Sequence, residues 1–121
     1  MSGEVRLPPA VQERLLRLQQ LQQTLQSILV QKQQLELELL EIDRALSELE
    51  KTPDDAVIYR SVGSLLVRSE KDKVTNDLKE RKELTSMRVS VLGKQEERLR
   101  SQIKELQSKL QRDLKPFSPP T

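Results

Sequence analysis

The chain has 121 residues, a third of them charged, with a net charge of +2 and only 2% aromatics (one Phe, one Tyr, no Trp). That length suits one domain, but a compact globular core of this size draws on bulky aromatics. Burial therefore falls to Leu, Ile and Val, which suits a long helical seam, and the composition lacks the dense basic face and stacking rings of a nucleic-acid binder.

Chemistry is excluded as well. The absence of His and Cys removes disulfides, thiolates and the soft or imidazole ligands of metal sites. There is no Gly-rich phosphate loop, and the carboxylates are scattered over helix surfaces, so no enzyme, metal or cofactor is expected. No apolar run resembles a signal peptide or reaches membrane-spanning length, which predicts a soluble, cytoplasmic protein without a membrane partner. Charge is uneven: the stretch before the centre is acidic (Glu36, Glu38, Glu41, Asp43, Glu48, Glu50), whereas Lys94, Arg98, Arg100, Lys104, Lys109, Arg112 and Lys115 make the C-terminal part basic.

In chain order, residues 1–7 read as a flexible lead. Pro8 and Pro9 suit a helix entry, where a missing N–H costs nothing. Apolar residues then recur at alternating spacings of three and four: Val11, Arg14, Leu18, Leu21, Leu25, Ile28, Lys32, Leu35, Leu39, Ile42, Leu46 and Leu49, with only Arg14 and Lys32 polar. A seam this long is a coiled-coil signal. Leu15, Gln22 and Leu29 form a second stripe that widens the apolar face.

Thr52-Pro53 ends the first helix. Val57, Ile58, Tyr59 and Val62, then Leu65, Leu66 and Val67, flank Gly63, the pattern of a β-hairpin with a three-to-five-residue turn. Ser69 with Asp72 three residues on fits a capping box. The second seam follows through Leu78, Lys82, Thr85, Val89, Leu92, Glu96, Leu99, Ile103, Leu106 and Leu110, weakest near the hairpin. Gly93 lies within this helix at a cost of about 1 kcal/mol relative to Ala.

The expected organisation is a single domain over 1–121: helix 1 about 9–52, hairpin about 55–69, helix 2 about 70–114, and a flexible Pro-rich tail over 115–121. The fold class is mainly α, a long antiparallel two-helix coiled coil joined by one β-hairpin. Each arm of about 40 residues spans roughly 60 Å. The antiparallel register sets Leu46 near Leu78 and Leu21 near Ile103, brings Arg14 to Leu110 and Asp113, and pairs Lys32 with Glu96.

A lone hairpin is marginal in water and exposes two strand edges. Val57, Ile58, Tyr59, Val62, Gly63, Leu65, Leu66 and Val67 are too apolar for a solvent loop, so they are expected to join hairpins of other chains by edge pairing. Folding of the hairpin back onto its own helices is the competing outcome. A plain coiled-coil scaffold is the competing function; it explains the heptads and leaves the apolar hairpin unexplained.

The run Tyr59-Arg60-Ser61-Val62-Gly63, the run Lys79-Glu80-Arg81-Lys82-Glu83 and the stretch Leu18-Gln19-Gln20-Leu21-Gln22-Gln23, set in a helix–hairpin–helix order over roughly residues 7–113, resemble β-type prefoldin subunits, most closely the archaeal form. The resemblance implies a heterohexamer of two α-type and four β-type subunits whose hairpins form an intersubunit β-barrel platform. It also implies an ATP-independent holdase whose coiled-coil tips hold non-native clients and pass them to a group II chaperonin. On this chain the tip surface is expected from Leu7, Val11, Leu15, Leu16, Leu18, Leu106, Leu110 and Leu114 as the helix ends fray. Arg14, Arg17, Lys109, Arg112 and Lys115 are the expected chaperonin contacts.

Overall fold

The structure, a computed structural model, describes residues 6–117. The flexible lead over residues 1–5 and the end of the tail, 118–121, lie outside the described residues. The elements run α1 (Pro9–Glu50), β1 (Ile58–Val62), β2 (Leu65–Ser69), α2 (Lys71–Leu114) and a 3-10 turn at Lys115–Phe117, which orders the start of the expected loose tail.

The boundaries follow from hydrogen-bond accounting. The Pro8 carbonyl accepts from the amides of Val11 (3.0 Å) and Gln12 (3.1 Å), which places Pro9 at the first helical position, where proline is tolerated. At the other end, the Lys51 and Thr52 amides bond three residues back, to Glu48 and Leu49. The Thr52 hydroxyl donates to the Glu48 carbonyl at 2.7 Å. This tightened turn and Pro53 stop α1 at Glu50, short of the expected residue 52. α2 is capped differently from the sequence expectation. The Glu70 carbonyl accepts the first helical bond, from Val74 at 3.0 Å, so Glu70 is the cap residue. Ser69 is held as the last residue of β2, opposite Ile58.

All twelve seam positions of α1, from Val11 to Leu49, are buried or half-buried. In α2 the same holds except at Lys82, which turns outward and bonds Asp43 across the helix pair at 2.7 Å. The second stripe is not buried as a unit: Leu15 and Gln22 are exposed and Leu29 half-buried. Two helices cover only the narrow stripe that each presents to the other.

Packing falls into two compact units. In the terminal unit, described over 6–31 and 92–117, Val11, Leu21, Ile103 and Leu110 form the core. Thr24 and Ile28 share one groove with Gln95, Leu99 and Gln102. Arg17 and Leu21 share another with Leu106 and Lys109, so numbers rise on one helix as they fall on the other. The Arg14 guanidinium bonds Asp113, as the register required. In the hairpin unit, Lys32–Val91, Ile42 is the buried apolar side chain and Thr85, only 2% exposed, sits at a seam position beside it in burial. Arg81 on α2 pairs with Glu38 on α1 at 2.8 Å.

Candidate functional site

The hairpin is the first candidate. Val62 pairs with Leu65, leaving a two-residue turn, Gly63-Ser64, in place of the expected three to five. Gly63 has φ of +59° while no non-Gly residue described has positive φ, the pattern of a type II′ turn, whose twist matches the strands. A side chain at Gly63 would meet open space but an unfavourable backbone.

The register pairs Ile58 with Ser69, Tyr59 with Arg68, Arg60 with Val67 and Ser61 with Leu66. Side chains alternate across a strand. One face therefore carries Ile58, Arg60, Val62, Leu65 and Val67, and the other Tyr59, Ser61, Leu66 and Arg68. Val57, Tyr59, Val62, Leu65, Leu66 and Val67 are all exposed, Leu66 by 72%; Ile58 is half-buried. The hairpin does not fold back on its helices.

Ladder chemistry adds a finer point. The pair closing a two-residue turn is hydrogen-bonded within the hairpin, and bonded and non-bonded pairs alternate along an antiparallel ladder. Arg60 thus spends its N–H and C=O inside the hairpin. Tyr59 and Ser61 direct theirs outward along the β1 edge, and Leu66 and Arg68 along the β2 edge. These groups have no ladder partner within the hairpin, and an edge of this kind is in general a template for strand pairing.

One contact ties the hairpin to α2 and another joins the two helix ends beside it, and neither was legible in the sequence. Arg60 bonds Asp77 of α2 at 2.8 Å. The Lys71 ammonium, 18% exposed, donates to the Thr52 carbonyl at 2.7 Å and to Asp54 at 3.0 Å. It ties the exit of α1 to the entry of α2. The partners are 17 and 19 residues apart, beyond the reach of any helical or strand period. Beside Lys71, the Thr75 hydroxyl is buried without a hydrogen-bond partner, in a groove that Leu46, Leu49 and Lys82 also line.

The second candidate is the set of helix ends in the terminal unit. Leu16 (56%) and Leu15 are exposed, and Leu7, Leu18, Leu106 and Leu114 are half-buried. Val11 and Leu110, 5% and 4% exposed, present no surface; they are seam residues that this arrangement closes. Of the cations expected to meet a partner, Arg17, Lys109, Arg112 and Lys115 are exposed, and Arg14 is engaged with Asp113. Among the described residues no group of acids can hold a metal ion, and no helix is long and apolar enough to cross a membrane.

Comparison with known proteins agrees with this geometry. A family model described as prefoldin subunit matches residues 12–116. The prefoldin subunit beta of Methanothrix thermoacetophila is 46% identical over 119 residues, 98% of each chain. That of Thermococcus gammatolerans is 48% identical over 110 residues, 91% of this chain and 94% of its own. The crystal structure of the prefoldin beta subunit from Thermococcus strain KS-1 superposes with a TM-score of 0.83 at 43% identity, covering 95% of this chain and 98% of that one.

Proposed function

The chain belongs to the prefoldin family of chaperone subunits, and on that premise we propose that it works as the β-type member of a heterohexamer, four copies joining two α-type subunits. The exposed apolar hairpin carries this reading. Leaving Val62, Leu65, Leu66 and Val67 in water is unfavourable for the isolated chain. The cost is reversed when strand edges pair with those of neighbours and close a barrel, which removes the edges. A plain scaffold has no use for that surface.

The helix ends of the assembled subunits then hold non-native polypeptide. Each end offers few apolar side chains, so each contact is weak, and several ends engaging one client gain affinity through effective concentration. No nucleotide is required, because release comes by transfer to a tighter partner, a group II chaperonin in the cytoplasm. The exposed cations Arg17, Lys109, Arg112 and Lys115, with Arg14, are the proposed contacts to an acidic face of that chaperonin.

Two measurements test this. Native mass of the chain alone and mixed with an α-type subunit should show one hexameric species in the mixture; a homodimer indifferent to the partner favours the scaffold. The mixture should then suppress aggregation of a diluted, denatured client without ATP, and failure to do so overturns the chaperone reading.

A further inference from the structure

Hairpin edges and helix ends leave one apolar surface unused, on the backs of the two helices in the hairpin unit, Lys32–Val91. Leu37 and Leu40 of α1 are 55% and 47% exposed, and Leu84, Met87 and Val91 of α2 are 45%, 57% and 49% exposed. Spacings of three and four residues set each group on one helix face. Leu37 lies two residues from both of the seam positions Leu35 and Leu39, and Met87 two from both Thr85 and Val89. At about 100° per residue, each points about 180° away from the seam. Each helix thus carries an apolar stripe that the other helix of its own chain cannot reach. Single exposed apolar side chains are ordinary, whereas grouped ones mark contact surfaces.

We propose that the two stripes are the two halves of one interface between copies of this chain, the α1 back of one copy seated against the α2 back of the next. Height supports a second copy as the occupant. The Glu38–Arg81 and Asp43–Lys82 pairs, at 2.8 and 2.7 Å, put Leu37 and Leu40 level with Met87 and Leu84 to within a helical turn. Copies whose hairpins share one platform stand at equal height, so α1 of one meets α2 of its neighbour, antiparallel, with the stripes already level.

Charge supports the same occupant and sets the direction. That alignment places Arg44 opposite Glu80 and Glu41 beside Arg88. All four are exposed, and none forms an ion pair among the described residues. On the other flank, which carries Asp43 and Glu83, Asp43 is bonded to Lys82. Seating like backs together would instead set Glu41 against Glu41 or Arg88 against Arg88. The contact is therefore heterologous, the type that closes into rings, and each copy uses α1 toward one neighbour and α2 toward the other.

Size and position fix its role. Leu40 lies ten residues before the end of α1 at Glu50, about 15 Å along the helix, so the contact continues the proposed hairpin interface. Two or three apolar side chains on each face fall far short of the about 20–30 residues a side of a free-standing interface. The contact adds to hairpin pairing and does not replace it. It rests on the proposed assembly and names a second surface by which neighbouring copies hold one another.

The chain has no Cys, so introduced cysteines report the contact directly. With four copies to two α-type subunits, some copies stand next to one another. In a complex with a cysteine-free α-type subunit, the double variant Leu37→Cys, Met87→Cys should give disulfide-linked pairs of this chain on mild oxidation. The yield should be unchanged when the assembled complex is diluted tenfold. The two positions lie on opposite backs, so they cannot bridge within one chain, and either single variant should give no linked pairs. Adding Arg44→Glu should slow bridging about two- to fivefold, and Glu80→Arg on top should restore it; equal rates in all three overturn the assigned register. If the wild-type complex assembles but the double variant gives no linked pairs, or a single variant links as fast, the lateral contact is wrong and the chaperone reading stands. If the wild-type chain forms no oligomer with the α-type subunit, both fall.

Discussion

Leu66 offers the sharpest test of the hairpin as an assembly surface. Its side chain is 72% exposed, and it sits opposite Ser61, whose N–H and C=O point outward. Fully burying a leucine is worth about 1.5–3 kcal/mol, so covering the exposed 72% is worth about 1–2 kcal/mol per copy. Leu66→Ala should leave the isolated chain within about 0.5 kcal/mol of the parent, as for other surface changes, since the folded chain buries little of this side chain. In the complex, each copy should lose about 1–2 kcal/mol, and every 1.4 kcal/mol is tenfold in an equilibrium constant. Sedimentation velocity across a dilution series should show dissociation at markedly higher concentration, and circular dichroism of the isolated chain should show an unchanged melting curve. A complex that dissociates at the parental concentration, together with an isolated chain that melts earlier, would refute the reasoning, because it would place Leu66 in a contact within its own chain.

Other substitutions separate the remaining claims. Ser61→Pro removes an outward N–H and should block hexamer formation while the isolated chain keeps its fold, whereas Arg60→Pro removes a bond inside the hairpin; native mass tells them apart. Gly93→Ala should raise the unfolding free energy by about 0.8–1 kcal/mol in a denaturant titration, because the added Cβ meets open space within a regular helix. Thr75→Val removes the buried, unpartnered hydroxyl and should stabilise the isolated chain by about 1 kcal/mol; a loss would mean that the hydroxyl has a partner. Lys71→Met, keeping the stem and losing the donors to Thr52 and Asp54, should cost about 1.5–3 kcal/mol.

The long-range plan of the chain is legible because it rests on period alone. All twelve positions chosen by a three-four spacing are buried or half-buried in α1, polar Arg14 and Lys32 included. Spacing reports which side of a helix faces its partner regardless of what occupies it. Local chemistry was less legible. Ser69 satisfies the capping box on sequence, yet strand pairing with Ile58 claims it first, a tertiary preference overriding a local one. The turn is shorter than the expected three to five residues because Val62 and Leu65, both apolar, pair right up to Gly63-Ser64. Lys82 occupies a seam position but has a long stem that reaches Asp43, so its charge escapes the seam. The clamps through Asp77 and Lys71 join residues with no periodic relation, and only the folded chain brings them together.

The placement of Tyr59 bears on the proposed assembly. The chain has a single Tyr, and it stands 61% exposed on β1 rather than in either seam. Neither unit needs it: a two-helix seam is filled by Leu and Ile, and no side chain in the described residues is completely enclosed. An aromatic left in water is unfavourable to the isolated chain, but it is the residue type that anchors interfaces, giving much contact area for two rotatable bonds. Its neighbour across the ladder is Arg68, whose guanidinium can stack on the ring and keep it oriented. The thin seam and the exposed hairpin are thus one solution. On the proposed assembly, a chain with too little core to enclose its bulky side chains would hold them on the strand pair until a second chain covers them, and its folding stability would then depend on protomer concentration.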